Sequence, residues 1–341
     1  MSAADAHSAR PELGEGRAPT RDRAQLVAHA RDTIARGSKS FAAASNLFDA
    51  RTRERVWLLY AWCRACDDLA DDQELGGALG EQAGAAGRLA AIRALTARAL
   101  AGEPSGNPSF DALGVVARET GLTAAMAEDV IAGFALDTAD WLPRSEMDLL
   151  RYCYHVAGAV GVMMAVVMGV APDDEDTLDR ACDLGLAFQF ANIARDLCED
   201  YSAARCYLPA EWLAEADIPP GEHMKPHYRA ALLPLIRRMT AMAQGYEDAA
   251  RIGAARLGFR QRWAVLAAAG IYGAIGREVA ARGARAWDQR VTTSKRAKLG
   301  FVAQAFARSL LPAPRNVPIP ARSRREIAAY AACHAARQTI Y

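Results

Sequence analysis

Two groups of carboxylates extend apolar helical faces in this chain, and they are the residues best placed to do chemistry. Arg51 to Asp72 reads RTRERVWLLYAWCRACDDLADD. Val56, Leu59, Tyr60 and Cys63 follow the i, i+3, i+4, i+7 spacing of a core-facing stripe. One further turn carries that face to Asp67 and then to Asp71. Asp68 and Asp72 form a second pair, about 100° around the axis. An acidic helix end in solvent is the simple explanation, but carboxylates near a helix C-terminus oppose the macrodipole. Residues 184–194, LGLAFQFANIA, are nearly all apolar, and Arg195, Asp196, Glu199 and Asp200 follow. Asn192, Asp196 and Asp200 are spaced by four and share one face. Two such clusters, each ending an apolar helix, are hard to read as surface decoration.

Side chains one helical turn apart have Cβ atoms about 6 Å apart, so paired carboxylates can hold neighbouring hard cations. Magnesium takes oxygen ligands, keeps several waters and completes its shell with substrate phosphates. Aspartates on two facing helices can therefore hold a diphosphate through Mg²⁺ without a glycine loop. A di-iron bundle would need Glu-x-x-His pairs, and the chain has none. Arg64 lies one turn before Asp67, and Arg195 adjoins Asp196. Ion pairing and direct contact with diphosphate oxygens both remain open for them.

The elements that must position these groups are helical. The chain has 341 residues and is 52% hydrophobic, enough for a folded core. Alanine-rich, β-branch-poor composition favours an all-α fold, and no alternating-strand or βαβ rhythm appears. Lys+Arg at 41 against Asp+Glu at 40 gives no global reason to bind nucleic acid. Cys63 and Cys66 make one CxxC inside a helical pattern, with no second pair, so buried thiols are expected rather than zinc. Residues 1–20 read as a disordered tail without a secretory signal, and a cytoplasmic protein is expected. Residues 21–308 read as one domain, and 309–341 as a Pro-rich segment and C-terminal tail. Residues 152–172 are apolar and near the length of a membrane span. Gly158, Gly161 and Gly169, with Arg151 and Asp173-Asp174 at the flanks, favour a buried core helix. GSKSF (residues 37–41) reads as a break between helices, with Ser38 or Ser40 capping the second.

YAWCRACDDLADD (residues 60–72) and NIARDLCEDYSAARCYLP (residues 192–209) resemble the two signature segments of the squalene/phytoene synthases. GSKSF, LFDARTR (residues 47–53), RYCYHVAGAVG (residues 151–161) and AWDQR (residues 286–290) match further family segments in order, so the likeness covers about residues 25–300. It is strongest toward bacterial phytoene-forming members. The resemblance implies an all-α isoprenoid-synthase bundle around a central apolar cavity. It also implies 1'-1 condensation of two geranylgeranyl diphosphates to phytoene through prephytoene diphosphate, the first committed step of carotenoid biosynthesis. A squalene-type synthase acting on farnesyl diphosphate is the alternative. By position, Asp67, Asp71, Asp196 and Asp200 would hold two or three Mg²⁺ or Mn²⁺ ions, with Asn192 on the same surface. Arg64, Arg195, Ser38, Ser40 and Phe41 would contact substrate, Arg290 and Lys295 would be late diphosphate contacts, and Tyr152 and Tyr272 would face the reacting centre. No NADPH is expected. Gly37 stands where some C30 relatives have histidine. The product is too apolar to leave into water, so peripheral membrane contact is expected. FAAAS (residues 41–45) and VAGAVG (residues 156–161) are expected to leave room for a C20 chain.

Overall fold

Helix α3, Ala50–Ala70, is the first acidic helix, and its start is fixed locally. The Asp49 carboxylate accepts from the Thr52 amide at 3.0 Å and from its hydroxyl at 2.7 Å, satisfying donors the first turn leaves open. In the computed structural model, which describes residues 21–73, 84–139, 141–314 and 316–338, every extended element is a helix and the described residues contain no strand. The expected tail over residues 1–20 lies outside the described residues.

Helices α1 (Arg23–Gly37) and α2 (Lys39–Ser45) precede α3; α4 (Ala85–Leu100), α5 (Pro108–Thr120) and α6 (Ala124–Thr138) follow and pack around it. The break at GSKSF is real: Ser38 lies in an extended conformation between α1 and α2, and its side chain accepts from the Phe41 amide at 3.3 Å. The side chain of Ser40 lies outside the described residues.

The apolar stretch that could pass for a membrane span is α7 (Glu146–Cys153), one π-helical turn (Tyr154–Gly158) and α8 (Ala159–Val167). It is long and apolar enough to cross a membrane, but 72% of its most apolar window is buried inside the protein. It packs on α9, Glu175–Ser202, the 28-residue helix that carries the second acidic group. The contact is backbone on backbone. A Cβ on Gly161 would lie 2.4 Å from the Ala181 carbonyl oxygen, and one on Gly185 would lie 2.2 Å from that of Ala157. Only glycine permits that approach.

α10 (Ala210–Glu215) is short; α11 (Arg229–Ala254) and α12 (Phe259–Arg282) close the bundle against α9, and α13 (Lys295–Ser309) packs on α12. The sequence pattern suggests a Pro-rich segment and a tail over residues 309–341. Residues 311–314 and 316–320 are indeed irregular, but α14 (Arg324–Gln338) docks on α7 and α9. Ile327 is fully buried, Tyr330 donates to Asp148 at 2.9 Å, and Arg324 pairs with Asp179 at 2.8 Å. The helix was missed because its apolar residues are mostly alanines, which leave little periodic signal.

Candidate active site

A cavity of about 590 Å³ runs between α3, α6, α8, α9, α11 and α12. The stripe read from the sequence, Val56, Leu59, Tyr60 and Cys63, lines it, and so do Arg64, Asp67 and Asp71 at its continuation. On α9 the lining runs from Thr177 to Asn192. The fifteen steps from Thr177 to Asn192, at 1.5 Å each, make that wall about 22 Å long. Val156, Ala157, Val160 and Gly161 contribute from α8 and the π turn, and Phe41, Ala44 and Ser45 from α2. The walls are mostly apolar; Arg64, Asp67, Asp71, Asp137, Asn192 and Arg205 gather at one end, and Thr177 and Arg180 line the other.

Arg64 pairs with Asp67 at 2.5 Å and lies 3.7 Å from Asp68, so the cation expected to offset the aspartates is present. The Asp67 carboxyl sits in a recess that still leaves 40% of it exposed. Even so, burial pushes its pKa up to about 6; Arg64 opposes this, and Asp71 and Asp68 add to it. On α9, Asp196 accepts from Arg195 Nε at 2.6 Å and from Arg290 at 2.9 and 3.0 Å. Arg290 also reaches Glu199 at 3.5 Å. Asp200 is pushed up to about 7 by burial and then by Asp196, against Arg205. Asp196 and Asp200 lie beyond the cavity lining, next to its polar end, whereas Asn192 is part of the lining.

Arg205 links the two groups. Its guanidinium lies 3.4 Å from Asp71, and its charge acts on both Asp200 and Asp137. Asp137, on α6, was not singled out by the sequence reading, nor were Arg205 and Tyr207. The Asp137 carboxylate accepts from Tyr152 at 3.3 Å and from Tyr207 at 3.2 Å, and burial raises it to about 6. A signal for it existed: Val130, Phe134 and Asp137 all line the cavity at i, i+4, i+7 spacing, as in α3. Tyr152 is buried, with its ring stacked on Tyr207 at 4.5 Å and near-parallel to Trp141 at 6.0 Å. What Tyr152 offers is therefore its hydroxyl more than its ring face. Tyr272 stacks on Phe188 at 4.4 Å and meets Phe41 at 5.9 Å, forming an aromatic wall. Lys295 is exposed at the start of α13 and takes no part in the lining.

The donor set suits a hard divalent cation. Asn192 Oδ1 is buried and accepts no hydrogen bond within the described residues. Asp71 and Asp68 help to raise Asp67, and Asp196 helps to raise Asp200, a repulsion a cation would relieve. Among the described residues no three His, Cys, Asp or Glu side chains converge on one point. Each ion would thus complete its shell with water and diphosphate oxygens, as Mg²⁺ does. In the CxxC, burial pushes the Cys63 thiol up to about 12, and Cys66 is fully buried. His155 is a core residue, with Nδ1 2.7 Å from the Asp129 carbonyl oxygen.

The model of the squalene/phytoene synthase family matches residues 34–297, which span both acidic helices and the helices between and behind them. The chain belongs to that family. Among its relatives, a phytoene synthase from Pseudescherichia vulneris is 47% identical over 82% of this chain and 91% of its own length. A 15-cis-phytoene synthase from Pantoea ananas is 46% identical, covering 84% of this chain and 92% of its own. The crystal structure of a dehydrosqualene synthase in complex with ligand superposes with a TM-score of 0.75 at 25% identity, over 84% of this chain and 97% of that one. The fold is therefore the all-α isoprenoid-synthase bundle.

Proposed function

We infer that this chain is a prenyltransferase. It joins two molecules of geranylgeranyl diphosphate head to head, through prephytoene diphosphate, and forms phytoene. The observation that carries this is the meeting of two acidic helix ends, through Arg205, at one end of an apolar cavity about 22 Å deep along α9. That depth suits an extended prenyl tail, and burying such a tail at about 0.8 kcal/mol per CH₂ supplies well over 10 kcal/mol gross. The relatives at 46–47% identity are phytoene synthases, which favours a C20 substrate over the farnesyl diphosphate of squalene-type enzymes.

Asp67 and Asp71 from α3, and Asn192, Asp196 and Asp200 from α9, would hold two or three Mg²⁺ or Mn²⁺ ions. When bound, these ions neutralise charge that develops on the departing diphosphate. Arg64, Arg195, Arg205 and Arg290 add cationic donors to the same end, with Lys295 as a peripheral contact from α13. Ser38 caps α2 and so fixes Phe41 at the cavity wall. The Phe41–Tyr272–Phe188 wall excludes water, and Tyr272 turns an aromatic surface toward an allylic cation. The terminal cation must lose a proton from the adjacent carbon. That C–H electron pair becomes the new double bond, the proton passes to the Tyr152 oxygen, and the Tyr152 proton moves to Oδ2 of Asp137. No reductant enters this balance. The product is released to a bilayer that the chain touches peripherally from the cytoplasm.

The test supplies geranylgeranyl or farnesyl diphosphate with Mg²⁺, with and without NADPH, and identifies the product by mass. Phytoene from the C20 substrate without NADPH, lost on chelation and restored by Mg²⁺ or Mn²⁺, is the expected result. Squalene or presqualene diphosphate from the C15 substrate alone would replace this reading with the squalene-type one.

A further inference from the structure

Helix α13 carries two apolar stripes, and packing explains only one. Its inner face, Phe301, Val302 and Ala305, meets α12, where the Trp263 indole donates to the Val302 carbonyl at 2.8 Å and the Phe301 ring lies against Gly270. Leu299, Ala303, Phe306 and Leu310 form a second stripe at spacings of four, three and four, and all are exposed. Leu299 is 70% exposed and Leu310 66%. Phe259, at the start of α12, extends the stripe sideways, with its ring edge-on to Phe306 at 5.7 Å. Arg262 donates to the Leu311 carbonyl at 2.6 Å and so ties the next exposed leucine to the same surface. Contiguous exposed apolar surface of this kind marks an interaction site.

The charges on the two segments that carry it have one sign, and the nearby Asp174 and Asp176 are paired with Arg256. The sequence holds no acidic residue between Asp248 and Glu278 and none between Asp288 and Glu326. Arg296, three residues before Leu299 on α13, and Arg260, next to Phe259, are exposed. The net charge of the whole chain is only +1, so this is a local segregation. The position is also telling. Ala254, Leu257, Ala264 and Val265, which flank Phe259 in sequence, line the tail end of the cavity, along with Thr177 and Arg180 of α9. Asp196 and Asp200 lie at the opposite end of that helix.

We propose that the Phe259–Leu299–Phe306–Leu310 surface docks the protein on a bilayer containing anionic lipid. Its leucines and phenylalanines enter the headgroup boundary, and Arg260 and Arg296 pair with lipid phosphates. The tail end of the cavity then faces the membrane and the diphosphate end faces water, the orientation of an amphiphilic prenyl diphosphate in a leaflet. The functional sense of this orientation rests on the prenyltransferase reading; the binding itself does not.

The experiment is flotation of the full chain, without substrate, on phosphatidylcholine vesicles with and without phosphatidylglycerol. Wild type is expected to float with the phosphatidylglycerol vesicles and to be released by salt. Leu299→Glu/Leu310→Glu is expected to bind at least about tenfold more weakly while keeping wild-type helicity and its activity on detergent-dispersed substrate. Arg260→Glu/Arg296→Glu leaves the apolar stripe intact and is expected to lose the phosphatidylglycerol preference, so a folding defect in the leucine pair does not spoil the test. Equal flotation of wild type and both variants, or no flotation of wild type, overturns the proposal. So does a wild-type dimer that the leucine variant makes monomeric, since the face would then be covered by a second copy. Failure of detergent-dispersed enzyme to make phytoene would overturn the functional reading and leave the flotation result standing.

Discussion

The Tyr152 hydroxyl donates to Oδ2 of Asp137 over 3.3 Å, and Tyr207 donates to Oδ1 of the same carboxylate over 3.2 Å. Asp137 thus holds the Tyr152 oxygen at the cavity wall and can accept its proton. Tyr152→Phe and Asp137→Asn are each expected to lower kcat by about a hundredfold or more with little change in KM, the usual scale for a lost proton-transfer group. Their combination is expected to cost no more than the worse single change, because both act on one proton. Steady-state kinetics of the three variants check this. Fully additive losses would separate the two residues.

Arg205 is the cation shared by the two acidic groups. Arg205→Ala leaves Asp71, Asp137 and Asp200 to repel one another without it. We expect kcat to fall by about a hundredfold, with Arg205→Lys recovering part of it. Activity of Arg205→Ala within twofold of wild type would remove this residue from the account.

The Gly37 position bears on chain length. A Cβ there would lie 2.6 Å from the Tyr60 hydroxyl oxygen, and Tyr60 lines the cavity. Gly37→Ala must push the Tyr60 ring, and the cavity is expected to lose room for the longer tail. The preference for C20 over C15 diphosphate, read as the ratio of kcat/KM values, should fall by about tenfold, the scale of one methylene in a tight pocket. Tyr60→Phe removes the clashing atom and should restore the ratio in the Gly37→Ala background.

Asp183 gives a pH dependence of stability. Its carboxyl is buried on α9 and pushed up to about 7 by burial, although Arg180 lies 2.7 Å away and opposes the shift. An unfolded aspartate titrates near about 3.9. The native state therefore holds a proton that the unfolded chain has lost between those values, and its stabilising effect fades as pH rises through about 7. Asp183→Asn carries no such titration. From pH ~5 to ~8, the Tm of wild type is expected to fall relative to that of the variant. Parallel Tm curves would contradict this.

The parts of the site that were legible in the sequence are those in which one helix carries the whole signal. The inward stripe of α3 and its run-on to Asp67 and Asp71 could be read from spacing alone, because helical period fixes which side chains share a face. Asn192, Asp196 and Asp200 were legible for the same reason. Arg205 and Tyr207 were not: they lie in the irregular stretch after α9, where no period says which way a side chain points. Asp137 had the period but stood alone, and one acid at a helix end is ordinarily solvated. That Tyr152 presents its hydroxyl depends on Tyr207 and Trp141, which only the tertiary fold brings beside it. The docked helix α14 was invisible because alanine is compatible with surface and core alike.

The most direct test of the account is to locate the metal and the diphosphate. A crystal grown with Mn²⁺ and a non-ionising thiodiphosphate analogue of geranylgeranyl diphosphate, measured for Mn anomalous scattering, would do so. The account predicts Mn peaks between the Asp67/Asp71 and Asp196/Asp200 carboxylates, bridged by the analogue's diphosphate, with its tail running toward Thr177. Mn²⁺ bound elsewhere, or a diphosphate seated at the Thr177 end with the tail toward the acids, would contradict it.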